Sequence, residues 1–114
     1  MAETPEHRAT LAMLIDFYSA LLNPRQRQIA EMYYGDDMSL SEISDELGIT
    51  RQGVHDALKK AEAKLVDTEE KLGLVERFAS SQKCFSYIIK RLEEISAQTG
   101  GDFSDIIDAA QRML

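Results

Sequence analysis

Apolar residues recur at steps of three and four along almost the whole chain, the period of helices that each turn one face inward. After residues 1 to 5, expected to be frayed, Leu11, Leu14, Ile15, Tyr18, Leu21 and Leu22 set a first helix. Met13 and Phe17 fall on another side of it, so this helix is expected to be buried centrally or shared with a partner. Asn23 and Pro24 mark the next start: the asparagine oxygen serves as cap, and proline at the first helical position sacrifices no bonded N–H. The second helix buries Ile29 and Tyr33 and stops near Gly35.

Ser39 and Glu42 then form a capping box, and Leu40, Ile43 and Leu47 give a short amphipathic helix. Gly48 suits a left-handed residue after its end, Ile49 fills the turn, and Thr50 caps the next helix. That helix carries Val54, Leu58, Ala61, Leu65, Thr68 and Leu72 at alternating steps of four and three, the seam of a short coiled coil. Gly73 interrupts it at a cost of about 1 kcal/mol relative to alanine, and the reading adopted is a kink in one continuous helix. Phe78, Phe85, Ile88, Ile89, Leu92 and Ile95 build a further stripe that ends at "TGG", after which Asp102 caps a last helix with Phe103, Ile106, Ile107, Ala110 and Met113.

No segment alternates with the period of a strand, so the fold class expected is all-α. The 114 residues fit one domain, with a helix-turn-helix core at 24–65 and a helical extension at 66–114. The extension is expected to serve dimerisation, although an intramolecular core explains its stripes equally well.

Two helices packed across so short a turn need a small residue at the contact, a turn residue tolerant of positive φ, and apolar residues that lock the second helix. Ser44, Gly48, Ile49 and Val54 meet these needs within "LGITRQGVHDALKK" and the helix before it. At 100° per residue, Val54, Leu58, Ala61 and Leu65 gather within about 60°, while Arg51, Gln52, His55, Asp56 and Lys59 share the opposite arc. That arc begins at the helix N-terminus, where recognition helices meet base edges. Arg51 suits guanine and Gln52 adenine, each through two hydrogen bonds. Any amphipathic surface helix also has a polar face, so the arc by itself does not establish DNA contact.

Charge qualifies the picture. The chain carries a formal net charge of −7, and residues 24–65 hold six bases against eight acids. Only within 50–64 does the sign reverse, with Arg51, Lys59, Lys60 and Lys64 against Asp56 and Glu62. A monomer with three or four phosphate contacts is therefore expected to bind DNA weakly and with strong salt dependence. A dimer on a two-half-site target doubles those contacts.

Other chemistries find little support. "TLAMLIDFYSALL" is interrupted by Asp16 and falls short of the roughly 18 to 20 apolar residues of a membrane helix, so no membrane insertion is expected. Cys84 is the only cysteine, which rules out an internal disulfide and suits a reducing compartment; it is read as a small, partly buried hydrophobe. "YYGDD" has adjacent carboxylates without further ligand spacing, and is read as a helix stop with aromatic packing against the first helix. There is no phosphate loop, no nucleophile–histidine arrangement and no metal-spaced ligand set, so no enzyme, no catalytic residue and no cofactor is expected.

Residues 22–65, "LNPRQRQIAEMYYGDDMSLSEISDELGITRQGVHDALKKAEAKL", resemble the fourth conserved region of bacterial sigma factors, a helix-turn-helix fold. The chain is more similar still to the YlxM family of small bacterial proteins, in "YYGDDMSLSEIS", "RQGVHDALKKAE" and "EEKL", through about residue 78. This resemblance implies an all-helical, cytoplasmic, DNA-binding regulatory protein linked to the signal recognition particle pathway. The family's recognition-helix pattern falls on Thr50, Arg51, Gln52, Val54, Asp56, Lys59 and Lys60, with Gly53 in place of the usual alanine and His55 where an aromatic is common. The function expected is a homodimeric DNA-binding regulator with Arg51, Gln52, His55 and Lys59 in the major groove and Arg25, Arg27, Lys60 and Lys64 near phosphates. The alternative is an adapter that docks on the particle's protein or RNA.

Overall fold

A computed structural model of the chain describes residues 4–114, all of its regular structure being helical. Helix α1 (Pro5–Tyr18) starts earlier than apolar spacing alone suggested, because the Thr4 hydroxyl accepts the His7 N–H at 3.0 Å and Pro5 occupies the first turn. The frayed start expected for residues 1–5 thus gives way to a capped helix at Thr4 and Pro5, and for residues 1–3 lies outside the described residues. A 3₁₀ turn over Ser19–Leu21 leads to α2 (Pro24–Ala30), where Asn23 and Gln26 cap each other's backbone N–H groups. The chain then widens into a π-helical turn at Glu31–Gly35.

Helix α3 (Leu40–Leu47) opens on the reciprocal Ser39–Glu42 cap and ends at Gly48. Helix α4 (Arg51–Leu72) follows Thr50, whose side chain accepts the Gly53 N–H. Gly73 has a φ of +63° and its N–H bonds the Glu69 carbonyl, so it terminates α4 rather than kinking it. Helix α5 (Leu74–Thr99) begins one residue later, and α6 (Ser104–Gln111) follows the Gly100 and Gly101 turn. The Asp102 carboxylate accepts the Ser104 N–H at 3.0 Å, but Phe103 holds the cap position, so Asp102 stands one residue before the cap it was expected to form. That bond holds the Asp102 carboxyl below the usual carboxylate range.

The chain divides into two compact units, Met1–Val75 and Glu76–Leu114. Helix α4 is the spine of the first. Its N-terminal half sends Val54 and Leu58 into a core with Ile29 of α2 and Ile43 of α3, and its C-terminal half sends Ala61 and Leu65 against Leu11, Leu14, Ile15 and Tyr18 of α1. The seam with coiled-coil spacing is therefore consumed inside the unit, with Val54 and Ala61 fully buried; only Leu72 at its end stands half exposed. In α1 the inward residues Leu11, Leu14, Ile15 and Tyr18 are buried as expected and Phe17 lies on the exposed side; of the two leucines beyond it, Leu22 is buried and Leu21, in the 3₁₀ turn, is exposed.

Of the second unit's apolar stripe only Ile89 and Ala110 are buried, with Phe85, Leu92 and Ile95 partly covered and Phe78 and Ile88 exposed. Cys84 is exposed as well, unlike the partly buried position expected of it.

Candidate nucleic-acid interface

The turn between α3 and α4 is built from the sequence signals that announced it. Gly48 takes a φ of +67°, a conformation that costs a residue with a Cβ, and donates its N–H to the Ser44 carbonyl at 2.9 Å. The Ser44 hydroxyl donates to the Ile49 carbonyl, which ties the turn back onto α3. Thr50 then caps α4 with a 2.9 Å bond from the Gly53 N–H. A Cβ at Gly53 would come within 3.1 Å of that hydroxyl, so glycine leaves the cap uncrowded while the helix stays regular around it. Below the turn, Ile29, Ile43 and Val54 are fully buried and fix α4 against α2 and α3.

The outer face of α4 brings together most of the residues singled out in the sequence. Arg51, Gln52, His55, Asp56, Lys59, Lys60 and Lys64 are all exposed. They are not all independent. Gln52 Nε2 donates to Asp56 Oδ1 at 2.8 Å, and His55 Nδ1 lies 3.7 Å from the same oxygen. Lys59 Nζ sits 3.5 Å from Glu62, whose carboxylate also accepts the Tyr34 hydroxyl. Thr50 has its hydroxyl committed to the helix cap. Arg25 is exposed on α2, whereas Arg27 is partly covered and lines an open cleft with Gln28, Glu31, Asp36 and Glu46, its Nε buried and without a hydrogen-bond partner among the described residues. Arg27 is thus set apart from the α4 array.

The aromatic packing expected of "YYGDD" against the first helix is present, since Tyr34 packs against the core that α1 lines, but the Arg8 and Glu69 contacts beside it were not expected, because their partners lie far apart in the chain. The Arg8 guanidinium lies over the Tyr33 and Tyr34 rings, 4.9 and 5.2 Å from their centroids, and donates to the Tyr33 carbonyl and to Asp37. This pins α1 to the π turn. The Tyr18 hydroxyl donates to Glu69 at 2.6 Å and accepts the Leu74 N–H, while Glu69 also accepts the Val75 N–H, so the pair caps the start of α5. Burial, with the Glu69 carboxylate second, pushes the Tyr18 hydroxyl above its usual range.

Charge is unevenly spread over this unit. Residues 28–50 contain six acids and no base, whereas the rest of residues 1–75 carry eight of each sign. The acids of the π turn, of the loop after it and of α3 therefore precede a stretch with an excess of base, Arg51 to Lys64, whose cations gather at Lys59, Lys60 and Lys64. A helix-turn-helix of this geometry can present one helix to a groove only if that acidic flank faces away from phosphates.

Comparison with known proteins agrees with the geometry. Residues 5–101 match the UPF0122 family, described as "Putative helix-turn-helix protein, YlxM / p13 like". The chain belongs to the UPF0122 family. A UPF0122 protein of Desulforamulus reducens is 47% identical over 81 residues, covering 71% of this chain and 69% of that one. A relative from a Thermoanaerobacter species is 52% identical over 85 residues (75% and 73% of the two chains), and one from Bacillus cereus 33% identical over 108 residues, which takes in 95% of this chain and 97% of its own. UPF0122 membership and the all-α architecture agree with the expectations drawn from residues 11–78. Among the described residues no group of His, Cys, Asp or Glu could hold a metal ion, and no helix is long and apolar enough to cross a membrane.

Proposed function

We propose that the protein is a DNA-binding regulator that lays the N-terminal half of α4 in the major groove of duplex DNA. The observation that carries this reading is the exposed array Arg51, Gln52, His55, Asp56 and Lys59 at the start of a helix whose opposite face is locked by Val54 and Leu58. Arg51 supplies paired donors suited to guanine, and Lys59, Lys60, Lys64 and Arg25 supply phosphate contacts. Few cations on an acidic body give weak binding per copy, so the regulator acts as a homodimer on two half-sites. Residues 76–114 suit that pairing: they leave Phe78, Ile88, Ile106 and Met113 exposed and carry five bases against six acids, which lets two copies approach without strong repulsion. Such a protein works in the cytoplasm, and its regulated targets include the signal recognition particle pathway. Selection from a random duplex pool at low salt tests this, with a pseudo-palindromic motif expected and a failure to enrich any motif counting against it.

A second reading is favoured by the acid run at 28–50. In it the protein is an adapter that docks on the signal recognition particle, on a basic protein surface in preference to its RNA. A pull-down of the particle's purified protein and RNA separates the two readings, since an adapter binds one of them at salt concentrations that strip it from duplex DNA.

A further inference from the structure

A helix that faces DNA is expected to be cationic or neutral where it meets bases, yet the middle of this face holds a carboxylate in a defined setting. Gln52 and Asp56 stand one turn apart on the exposed side of α4, and Gln52 Nε2 donates to Asp56 Oδ1 at 2.8 Å. A carboxylate only accepts, so this bond decides which end of the glutamine amide faces it: the NH₂ turns toward Asp56 and Oε1 turns away. His55 Nδ1, 3.7 Å from the same Oδ1, flanks the pair. One of the two amide hydrogens of Gln52 is thereby engaged, and the pair offers an acceptor-rich surface beside Arg51, which offers donors only.

Base edges in the major groove sort by the same property. Guanine shows two acceptors, thymine an acceptor and a methyl group, adenine an acceptor beside a donor, and cytosine the N4 amine alone. A carboxylate placed against thymine O4 or guanine O6 meets another acceptor and loses its water without replacement. Against adenine its second oxygen faces N7. Against cytosine N4 it gains a charge-assisted hydrogen bond with no acceptor on that base to oppose it.

We propose that Asp56, oriented by Gln52, selects cytosine at one position of the duplex site read by α4. The inference rests on the DNA-binding reading above and adds to it a base identity and the residue that sets it. Asp56 acts chiefly by exclusion: its charge weakens attraction to phosphates in general, and the loss is recovered only where an exocyclic amine faces it. Gln52 acts through Asp56 and is a positioning residue, which alters the expectation that it reads adenine on its own.

The test is the same random-duplex selection carried out with the full-length protein and with its Asp56→Ala, Asp56→Asn and Gln52→Ala variants, each first checked for unchanged helicity and melting. Wild type is expected to enrich a motif with cytosine preferred about tenfold at one position. Asp56→Ala should lose that preference to within about twofold, keep the rest of the motif, and bind random duplex at least as tightly because a negative charge is gone. Asp56→Asn, now able to donate and accept, should move the preference toward adenine. Gln52→Ala should blur the cytosine preference without abolishing it. If wild type enriches a motif that Asp56→Ala leaves unchanged, the inference fails and the DNA-binding reading stands. If wild type fails to retain any duplex at low salt, both fall together.

Discussion

Gly48 holds the turn at a φ of +67° with nothing within 4 Å of where a Cβ would stand, so replacing it tests backbone conformation separately from packing. Gly48→Ala is expected to cost roughly 1 kcal/mol, read as a lowered denaturation midpoint at unchanged m-value. Tyr18 offers a test with a pH signature. Its hydroxyl is held protonated in the folded state above the usual value of 10.0, so between that value and the raised one the folded chain retains a proton that the unfolded chain tends to lose. The contribution is fully present below pH 10 and is lost as pH rises through the folded-state value. Stability measured by denaturant titration should therefore fall more steeply above about pH 10 in wild type than in Tyr18→Phe.

At the scale of elements, α4 links two small cores, and neither core is complete without it. Leu58 and Leu65 lie in different cores and are almost wholly buried, so Leu58→Ala and Leu65→Ala are each expected to cost about 2–5 kcal/mol. The loss is read by thermal or chemical denaturation. The second unit is expected to be less protected: with Ile89 and Ala110 its only buried apolar residues among those described, amides of 80–99 in the full chain should exchange with solvent faster than those of 54–68. The sequence made the caps of α2, α3 and α4 legible because Asn23, Ser39, Gly48 and Thr50 act within four residues of themselves. It left Gly73 open because a left-handed cap and a kink share the same residue. The coiled-coil spacing of α4 was ambiguous for a related reason: the same stripe packs on another chain or on α1, α2 and α3. The Arg8, Tyr34 and Tyr18 hydrogen bonds were invisible, since each joins residues 25 to 56 positions apart.

For the whole molecule the governing quantity is charge. A net −7 resists any polyanion at long range, and binding must come from a few cations brought close by the shape of the turn. The exposed side chains of α4 were identifiable from spacing alone, whereas the carboxylate hold on Gln52 and Lys59 and the partial burial of Arg27 required the folded chain. The measurement that tests the account most directly is the salt dependence of duplex binding by the wild-type protein and its Arg51→Ala/Lys59→Ala variant. The account predicts weaker binding by the variant, chiefly from the lost Arg51 contact to guanine, and a log–log salt slope shallower by about one for each bound copy, from the lost Lys59 contact to phosphate. Identical affinity and slope for the two proteins would contradict it, and would place the function of this helix-turn-helix on a surface other than the outer face of α4.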